Sequence, residues 1–389
     1  MPTGDMRFEF ATATQIVFGA GTLREAGALA KPFGPRALLV QGRNPARTEQ
    51  LTAHLRAAGV SATPFPVSGE PEISTVEAGV ALARAERCDF VISMGGGSVI
   101  DAGKAIAAML TNEGELLDYL EVIGRGKALA KPSAPFIAIP TTTGTGSEVT
   151  RNAVLASPEH KVKVSLRSPF MLARVALVDP ELTYDLPPAI TASTGLDALT
   201  QLIEPYVCSR TNPITDGLCR EGIVRAARSL RVAFTDGHNA AAREDMAVAS
   251  LFGGFALANA GLGAVHGFAG PIGGMFPAPH GAVCAALLPH VTLANLRALH
   301  GRGTKMDALG RYQAIGRWLT GRVTATADSG VAWVEELVRD LQIPRLRAYG
   351  VREEHVAEVV AKAAKASSMK ANPITLTTAE LEQALRAAL

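Results

Sequence analysis

Two histidines and two oxygen-bearing side chains have spacings that suit metal binding. His266 and His280 lie fourteen residues apart in a segment rich in glycine and proline, AVHGFAGPIGGMFPAPHGAV at 264–283. Upstream, Asp197 and Gln201 lie four residues apart, which places them on one face of a helix. A carboxylate, an amide oxygen and two imidazoles form a mixed set of ligands for a divalent ion such as Fe²⁺ or Zn²⁺. On spacing alone, separate structural or surface histidines remain the alternative.

A glycine-rich segment has the pattern of a phosphate-binding loop. The sequence CDFVISMGGGSVIDAGKAIAAML runs from a predicted strand through Gly95, Gly96, Gly97 and Ser98 into a predicted helix. Glycines at a helix start let phosphate oxygens approach free backbone N–H groups and the positive end of the helix dipole. No G-K-[ST] closes a Walker loop, and Ile100 stands where a G-x-G-x-x-G pattern needs its last glycine. Phosphate binding and a simple tight turn are both open at this point.

A second loop, PTTTGTGSEVT at 140–150, also follows a predicted strand. Hydroxyl side chains surround its two glycines; they are Thr141, Thr142, Thr143, Thr145 and Ser147. The loop lies at the carboxyl end of a strand, where open α/β sheets bind their ligands. Two loops of this kind favour a ligand site over two coincident surface turns.

The elements that carry these loops divide the chain into two parts. Continuous apolar runs alternate with helical stretches in the first part, as in RALLV (36–40), CDFVIS (88–93), PFIAIP (135–140) and ARVALVD (173–179). Such runs are typical of strands buried on both faces of a mostly parallel sheet. The later sequence is rich in Ala and Leu at helical spacing, and Thr377 three residues before Glu380 is the capping-box pattern. We therefore predict an α/β domain over residues 1–187 and a helical domain over residues 188–389.

Composition narrows the class of protein. Hydrophobic residues make up 48% and charged residues only 19% of the 389 residues, against an ordinary charged share of about 25%, so we expect extensive burial and a homodimer. A net charge of +2 without basic runs argues against nucleic acid or a membrane surface as a partner. The first residues lack a signal-peptide pattern, so we expect a cytoplasmic protein. The four cysteines show no framework spacing and are expected to be small buried side chains.

Several long motifs resemble the iron-containing, or group III, alcohol dehydrogenases, a family that includes maleylacetate reductases. The motifs occur in the family's order from about residue 16 to the C-terminal NPITLTTAEL; they are GGGSVIDAGKA, PTTTGTGSEVT, VALVDPELT, TGLDALTQLIEPYV, NPITDG, and NAGLGAVHGFAGPIGG with PHGAVCAALLPHV. The resemblance implies α/β plus all-α architecture of the dehydroquinate synthase-like kind. An N-terminal doubly wound, mostly parallel dinucleotide-binding sheet domain would precede an all-helical domain, with nicotinamide and metal meeting in the cleft between them.

The resemblance also implies roles for individual residues. The pyrophosphate loop would contain Gly96, Gly97 and Ser98, with Asp101 in the same motif. Positions near the ribose and nicotinamide are matched by Thr141, Thr142, Thr145 and Lys163, and Ser147 belongs to the same loop. Three metal ligands are matched by Asp197, His266 and His280. No catalytic acid or base is assigned.

Two departures from the family pattern concern the metal site. The usual fourth ligand is a histidine, and here it is Gln201, whose neutral amide oxygen should lower the affinity for Fe²⁺ or Zn²⁺. A further histidine of the family commonly follows the first by four residues and is thought to relay protons. Here that position is Gly270, so the proton route must differ.

A third departure concerns the choice of cofactor. NAD-preferring members carry an acidic residue after the strand that corresponds to RALLV, and here the chain reads Gln41, Gly42, Arg43. The change removes a charge that would repel a 2′-phosphate and adds a guanidinium that can bind one. The sequence therefore favours NADP, or the use of both NADP and NAD.

The resemblance predicts reversible hydride transfer between NAD(P)H and an alcohol or aldehyde carbonyl, assisted by a bound metal. A metal-independent enzyme of the maleylacetate reductase kind, acting on a keto acid, is the first alternative. A lyase like dehydroquinate synthase, which regenerates its nicotinamide in each turnover, is a second, and a non-catalytic ligand sensor is a third.

Overall fold

The first part of the chain forms a parallel sheet and a small hairpin. A computed structural model describes residues 7–160, 162–302 and 307–389. Its strands are β1 Gln15–Phe18, β2 Arg36–Gln41, β3 Ser61–Pro66, β4 Phe90–Gly95, β5 Phe136–Pro140, β6 Asn152–Ser157, β7 Val162–Arg167 and β8 Val175–Val178. The main sheet has six strands in the order β1-β8-β5-β4-β2-β3, and its neighbouring strands are all parallel. Strands β6 and β7 form a separate antiparallel pair.

Both faces of the main sheet are covered, as the continuous apolar runs predicted. The intervening helices are α1 Ala26–Ala30, α2 Glu49–Ala57, α3 Ile73–Ala85, α4 Gly97–Thr111 and α5 Leu116–Tyr119. Along β2, Leu38 and Val40 pack into one apolar core while Leu39 packs into the core on the opposite face. A parallel strand that is buried on both faces carries apolar residues along its whole length instead of alternating apolar and polar residues. The predicted doubly wound sheet is confirmed.

The rest of the described chain is helical, as predicted. Its helices are α6 Pro188–Val207, α7 Pro213–Thr235, α8 Ala240–Asn259, α9 Ala264–Met275, α10 His280–Arg302, α11 Ala308–Thr320, α12 Ala327–Asp340, α13 Val356–Ala363 and α14 Thr378–Ala387. They share one extended core, to which Leu199 of α6 and Leu287 of α10 contribute fully buried side chains. The capping box at Thr377 and Glu380 is present, because each side chain accepts a hydrogen bond from the other residue's backbone N–H.

Among the described residues, α10 has the length and hydropathy of a membrane span. In its most apolar window, 72% of the helix is buried inside the protein. A bent pair, α8 with α9, passes the same test only if the two helices are joined despite an angle of 96°. The core helices of proteins can also be this long and this apolar, and burial of this extent is typical of a core helix.

The loop at 140–150 packs directly against the helical part. Gly146 has the left-handed φ of 58°, and a Cβ there would lie only 2.4 Å from the Cα of Gly254 in α8. A Cβ on Gly144 would lie 2.6 Å from the Cβ of Thr194 in α6. Only glycine permits backbones to approach this closely. The contact brings the carboxyl end of β5 against the helix that carries Asp197.

Candidate active site

The two glycine and threonine loops adjoin each other at the carboxyl edge of the sheet. Strand β4 ends at Gly95, and α4 begins at Gly97 with no side chain of the described residues capping it. The N–H of Thr141 donates to the carbonyl of Gly95 at 2.9 Å. A Cβ on Gly97 would lie 2.8 Å from Cγ2 of Thr145. An uncapped helix start beside hydroxyl side chains has the donors that a pyrophosphate group requires.

The side chains of Asp101 and Ser147 form hydrogen bonds inside the protein. Both side chains are buried, and Ser147 Oγ donates to Asp101 Oδ1. The other carboxylate oxygen of Asp101 accepts from the N–H of Val154 at 2.9 Å. These bonds link α4 to the 140–150 loop and to β6.

Lys104 completes this network, and sequence reasoning missed it. Its ammonium group is buried and donates to the carbonyl of Asn152 at 2.6 Å and to Thr150 Oγ1 at 3.0 Å. It also lies 3.5 Å from Asp101 Oδ1. Burial lowers the pKa of Lys104, with Asp101 opposing that shift. Its position three residues after Asp101 in the GGGSVIDAGKA motif could have indicated that the two side chains meet on one helical face.

Gly42 and Arg43 directly follow β2, whose last residue Gln41 pairs with Met94 of β4, and Lys163 lies in β7. Arg43 is exposed, and its Nε donates to Ser68 Oγ. Lys163 Nζ lies 3.0 Å from Glu70 Oε1, and a Cβ on Gly273 of α9 would lie 3.2 Å from the same Nζ. Lys163 therefore reaches from the hairpin to the helix that carries His266.

The structure brings together the predicted metal-binding residues. Asp197 Oδ1 lies 3.5 Å from His266 Nε2 and 3.8 Å from His280 Nε2. This carboxylate oxygen is buried and has no hydrogen-bond partner among the described residues, and the same is true of Oε1 of Gln201. Cys284 adds a donor that the sequence analysis did not include, since the ligand atoms of Asp197, His266, His280 and Cys284 all lie within 4.8 Å of one another.

Glu204 orients the first of the two histidines. Its Oε2 lies 2.7 Å from His266 Nδ1, and its Oε1 accepts from the N–H of Val265 at 2.7 Å. Such a carboxylate fixes the ring and directs Nε2 toward a metal. Glu204 lies seven residues after Asp197, on the same helical face, and this spacing in TGLDALTQLIEPYV could have revealed it.

The charges of this cluster shift its pKa values. Burial would lower the pKa of His266, but Cys284, Asp197 and Glu204 hold it well above its ordinary value. Burial would raise the pKa of Asp197, but His280 and His266 hold it below its usual range. An ion that binds at Nε2 therefore competes with a proton.

The donor set fits a divalent transition metal. An unpartnered buried carboxylate oxygen costs stability unless a cation or proton meets it. Imidazole, carboxylate and thiolate are ligands of Zn²⁺ and of neighbouring first-row ions. Next to the cluster, Gly270 leaves open space, because a Cβ there would meet no atom within 4 Å.

The fold and the donor cluster are those of a two-part protein. A parallel-sheet part contains an uncapped helix start, and a helical part carries the candidate metal site. Two family models match, that of iron-containing alcohol dehydrogenase over residues 13–180 and that of the C-terminal part of the Fe-containing alcohol dehydrogenase family over residues 191–389.

Individual relatives agree with these matches. The 1,3-propanediol dehydrogenase of Klebsiella pneumoniae is 36% identical over 375 residues, covering 94% of this chain and 95% of that protein. Long-chain-alcohol dehydrogenase 1 of Geobacillus thermodenitrificans is 38% identical over 347 residues, covering 87% of this chain and 85% of that protein. The crystal structure of a 1,3-propanediol oxidoreductase superposes with a TM-score of 0.92 at 34% identity, covering 99% of this chain and all of that one.

The chain belongs to the iron-containing alcohol dehydrogenase family. It is an oxidoreductase that transfers a hydride between a nicotinamide cofactor and an alcohol or aldehyde. Membership implies a nicotinamide cofactor and iron or a similar metal.

Proposed function

We propose that this chain reduces an aldehyde, or oxidises the corresponding alcohol, at a metal held by Asp197, His266 and His280. The observation that carries the proposal is the buried oxygen Asp197 Oδ1, which has no hydrogen-bond partner in the part of the chain that the structure describes and faces Nε2 of both histidines. The fourth ligand would come from Gln201, as the family resemblance implies, or from Cys284. When bound, the metal would act as a Lewis acid toward the carbonyl oxygen of the substrate.

The chain's own residues would position the cofactor and the substrate. The start of α4, with Gly96, Gly97 and Ser98, would bind the pyrophosphate through backbone N–H groups. The neighbouring hydroxyl side chains Thr141, Thr142 and Thr145, together with Lys163, would bind nearer the ribose and nicotinamide. Asp101 and Ser147 would keep these two loops in register through their buried hydrogen bond. Nicotinamide supplies the hydride, and the protein aligns it with the carbonyl.

The proton route passes through a different group from the family's usual histidine. Gly270 supplies no side chain at that position, and the space beside it is open. Water in that space would carry the proton to or from the substrate oxygen. The same space would admit a larger substituent on the aldehyde.

The alternatives are not favoured by the comparisons. The relatives described above are dehydrogenases of propanediol and long-chain alcohols, and a sulfoacetaldehyde reductase from Bifidobacterium kashiwanohense in complex with NAD⁺ superposes with a TM-score of 0.87 at 29% identity. These similarities support reaction of an aldehyde with net use of the nicotinamide. They do not favour a keto-acid reductase or a lyase.

Further properties belong to the same proposal. NADP would be preferred over NAD because Gly42 and Arg43 replace an acidic residue after β2. The low charged share of 19% supports a homodimer. The division into domains at 187/188 falls in the segment between β8 and α6.

Metal stripping tests the proposal. Aldehyde-dependent NADPH oxidation would be measured before and after chelator treatment and after addition of Fe²⁺ or Zn²⁺, alongside metal content per chain. Activity should fall at least about a hundredfold on stripping, since a Lewis acid contributes several kcal/mol, and should return with metal.

The matching variants are Asp197→Asn and, as a control, Asp185→Asn, whose side chain is 86% exposed. Only the first should lose metal and activity. Full activity of a metal-free protein would contradict the proposal and favour the metal-independent alternative, in which the substrate is a keto acid.

A further inference from the structure

We propose that Sγ of Cys284 is the fourth ligand of this metal site, so that a carboxylate, two imidazoles and a thiolate hold the ion. This inference rests on the proposed metal site at Asp197, His266 and His280. It replaces Gln201 as the fourth ligand.

The position of Cys284 follows from its helix. It lies four residues after His280 in the first turns of α10, so both side chains point from one face. The thiol is fully buried. Its Sγ lies 3.7 Å from His280 Nε2 and 3.8 Å from His266 Nε2.

These distances approach those of a tetrahedral site. Zinc bonds of about 2.3 Å to sulfur and about 2.0 Å to nitrogen place tetrahedral sulfur and nitrogen ligands about 3.5 Å apart. The corresponding separation of oxygen and nitrogen ligands is about 3.3 Å, and Asp197 Oδ1 lies 3.5 Å from His266 Nε2. Asp197 Oδ1 lies 3.8 Å from His280 Nε2, so movements of a few tenths of an ångström would bring each imidazole nitrogen to tetrahedral separation from the sulfur and from the oxygen.

The chemistry of this chain favours the thiolate. The family's usual histidine is absent at Gln201, and a neutral amide oxygen is a poor substitute for imidazole with Fe²⁺ or Zn²⁺. A thiolate is a stronger electron donor to the metal than the amide oxygen of Gln201, and it adds a second negative charge beside that of Asp197. The ion with its two anionic ligands is then electrically neutral, and the soft sulfur favours Zn²⁺ over Fe²⁺.

Among the cysteines of the described chain, Cys284 alone belongs to such a group of donors. Cys219 is equally buried in the core of the helical part, but it belongs to no such donor group among the residues that the structure describes. The variants Cys284→Ala and Cys219→Ala therefore remove the same atom from two buried sites and form a matched pair.

Cobalt substitution tests the inference, with Co²⁺ alone as the probe. The Co²⁺-loaded protein should show a thiolate-to-cobalt charge-transfer band in the near ultraviolet as well as visible d–d bands. The band should persist in Cys219→Ala and Gln201→Ala and disappear in Cys284→Ala. The affinity of Cys284→Ala for Zn²⁺ should fall at least about a hundredfold, since even outer-shell partners of a ligand contribute 10- to 100-fold.

The outcomes separate this inference from the proposed function. Failure of the unsubstituted protein to bind Co²⁺ would overturn both the metal site and its thiolate ligand. Binding with d–d bands but no charge-transfer band, or a band that survives in Cys284→Ala, would overturn the thiolate alone. X-ray absorption of the Zn²⁺-loaded wild-type protein provides a readout independent of folding of the variant, because a sulfur ligand scatters at about 2.3 Å.

Discussion

Arg43 is the residue on which the proposed preference for NADP depends. It is exposed just beyond β2, where its Nε donates to Ser68 Oγ. Gln41, the last residue of β2, is buried, and its Oε1 accepts from Thr48 Oγ1 at 2.6 Å. The position that would carry an acidic residue therefore has no charge, and a guanidinium lies nearby. This arrangement supports binding of a 2′-phosphate.

Replacing Arg43 should change the choice of cofactor. In Arg43→Ala, kcat/KM with NADPH should fall by roughly ten- to hundredfold, the equivalent of about 1.5–3 kcal/mol for a hydrogen bond to a charged group. The value with NADH should change little, because NADH lacks the phosphate. Steady-state kinetics with both cofactors measure the ratio, and Arg47→Ala, another exposed arginine nearby, is the control. An equal loss with both cofactors would contradict the assignment.

The residues of the candidate metal site differ in how readily they can be identified from the sequence. His266, His280 and Asp197 could be selected by type and by the motifs around them. Glu204 could have been selected by its helical spacing from Asp197. The cysteine pattern predicted only a small buried side chain at Cys284, although its spacing of four residues from His280 in α10 could have indicated that contact. The other neighbours, Asp197 and His266, come from α6 and α9.

At the scale of the element, the start of α4 depends on close packing against the 140–150 loop. A Cβ on Gly97 would lie 2.8 Å from Cγ2, 3.0 Å from Oγ1 and 3.2 Å from Cβ of Thr145. Thr145 cannot retreat freely, since the next residue, Gly146, is pressed against Gly254. A methyl group at Gly97 must therefore displace the loop or the first turn of the helix.

The variant Gly97→Ala should weaken dinucleotide binding. Overpacking costs about 1–3 kcal/mol, so we expect KM for NADPH to rise by roughly tenfold or more while the helical content stays unchanged. Gly217→Ala is the matched control, because Gly217 lies in α7 with open space around it and alanine is the better helix former by about 1 kcal/mol. Unaltered cofactor binding by Gly97→Ala would show that the loop does not hold the pyrophosphate.

At the scale of the whole molecule, Glu148 lies where the sheet part and the helical part meet. It is buried in the turn after Gly146, which packs against α8. Burial raises the pKa of Glu148 to about 7, with a backbone hydrogen bond and Lys104 opposing the shift. The folded protein therefore holds a proton there that the unfolded chain releases at lower pH.

This shift makes stability depend on pH in a definite direction. Between about pH 4.5 and about pH 7 the folded state binds more protons at Glu148 than the unfolded state, so its contribution to the free energy of unfolding falls as pH rises. Glu148→Gln resembles the protonated acid and lacks this loss. Relative to the wild type it should gain up to about 3 kcal/mol across the window.

Urea unfolding midpoints of the two proteins, measured through that pH window, check the prediction. The control is Glu113→Gln, whose side chain is 96% exposed and should leave the profile unchanged. Parallel profiles of Glu148→Gln and the wild type would contradict a raised pKa.

The sequence was sufficient to predict the strands that carry a continuous apolar run of their own. The four predicted strands correspond to β2, β4, β5 and β8, which lie inside the sheet and carry continuous apolar runs. The strands that were not predicted are β1, β3 and the β6–β7 hairpin. β1 has only four residues, and β3 contains Pro64 and Pro66, which an edge strand tolerates because its outer N–H groups need no partner.

The sequence by itself determined the parallel-sheet and helical parts, the two glycine loops and the histidines with Asp197, because periodicity and motif order encode them. Only the tertiary structure decided which atoms meet: Lys104 with Asn152, Glu204 with His266, and Cys284 with His266. These contacts join segments separated by dozens of residues or different helices. Their distances are set by how the helices pack, and spacing along a single chain carries no record of that packing.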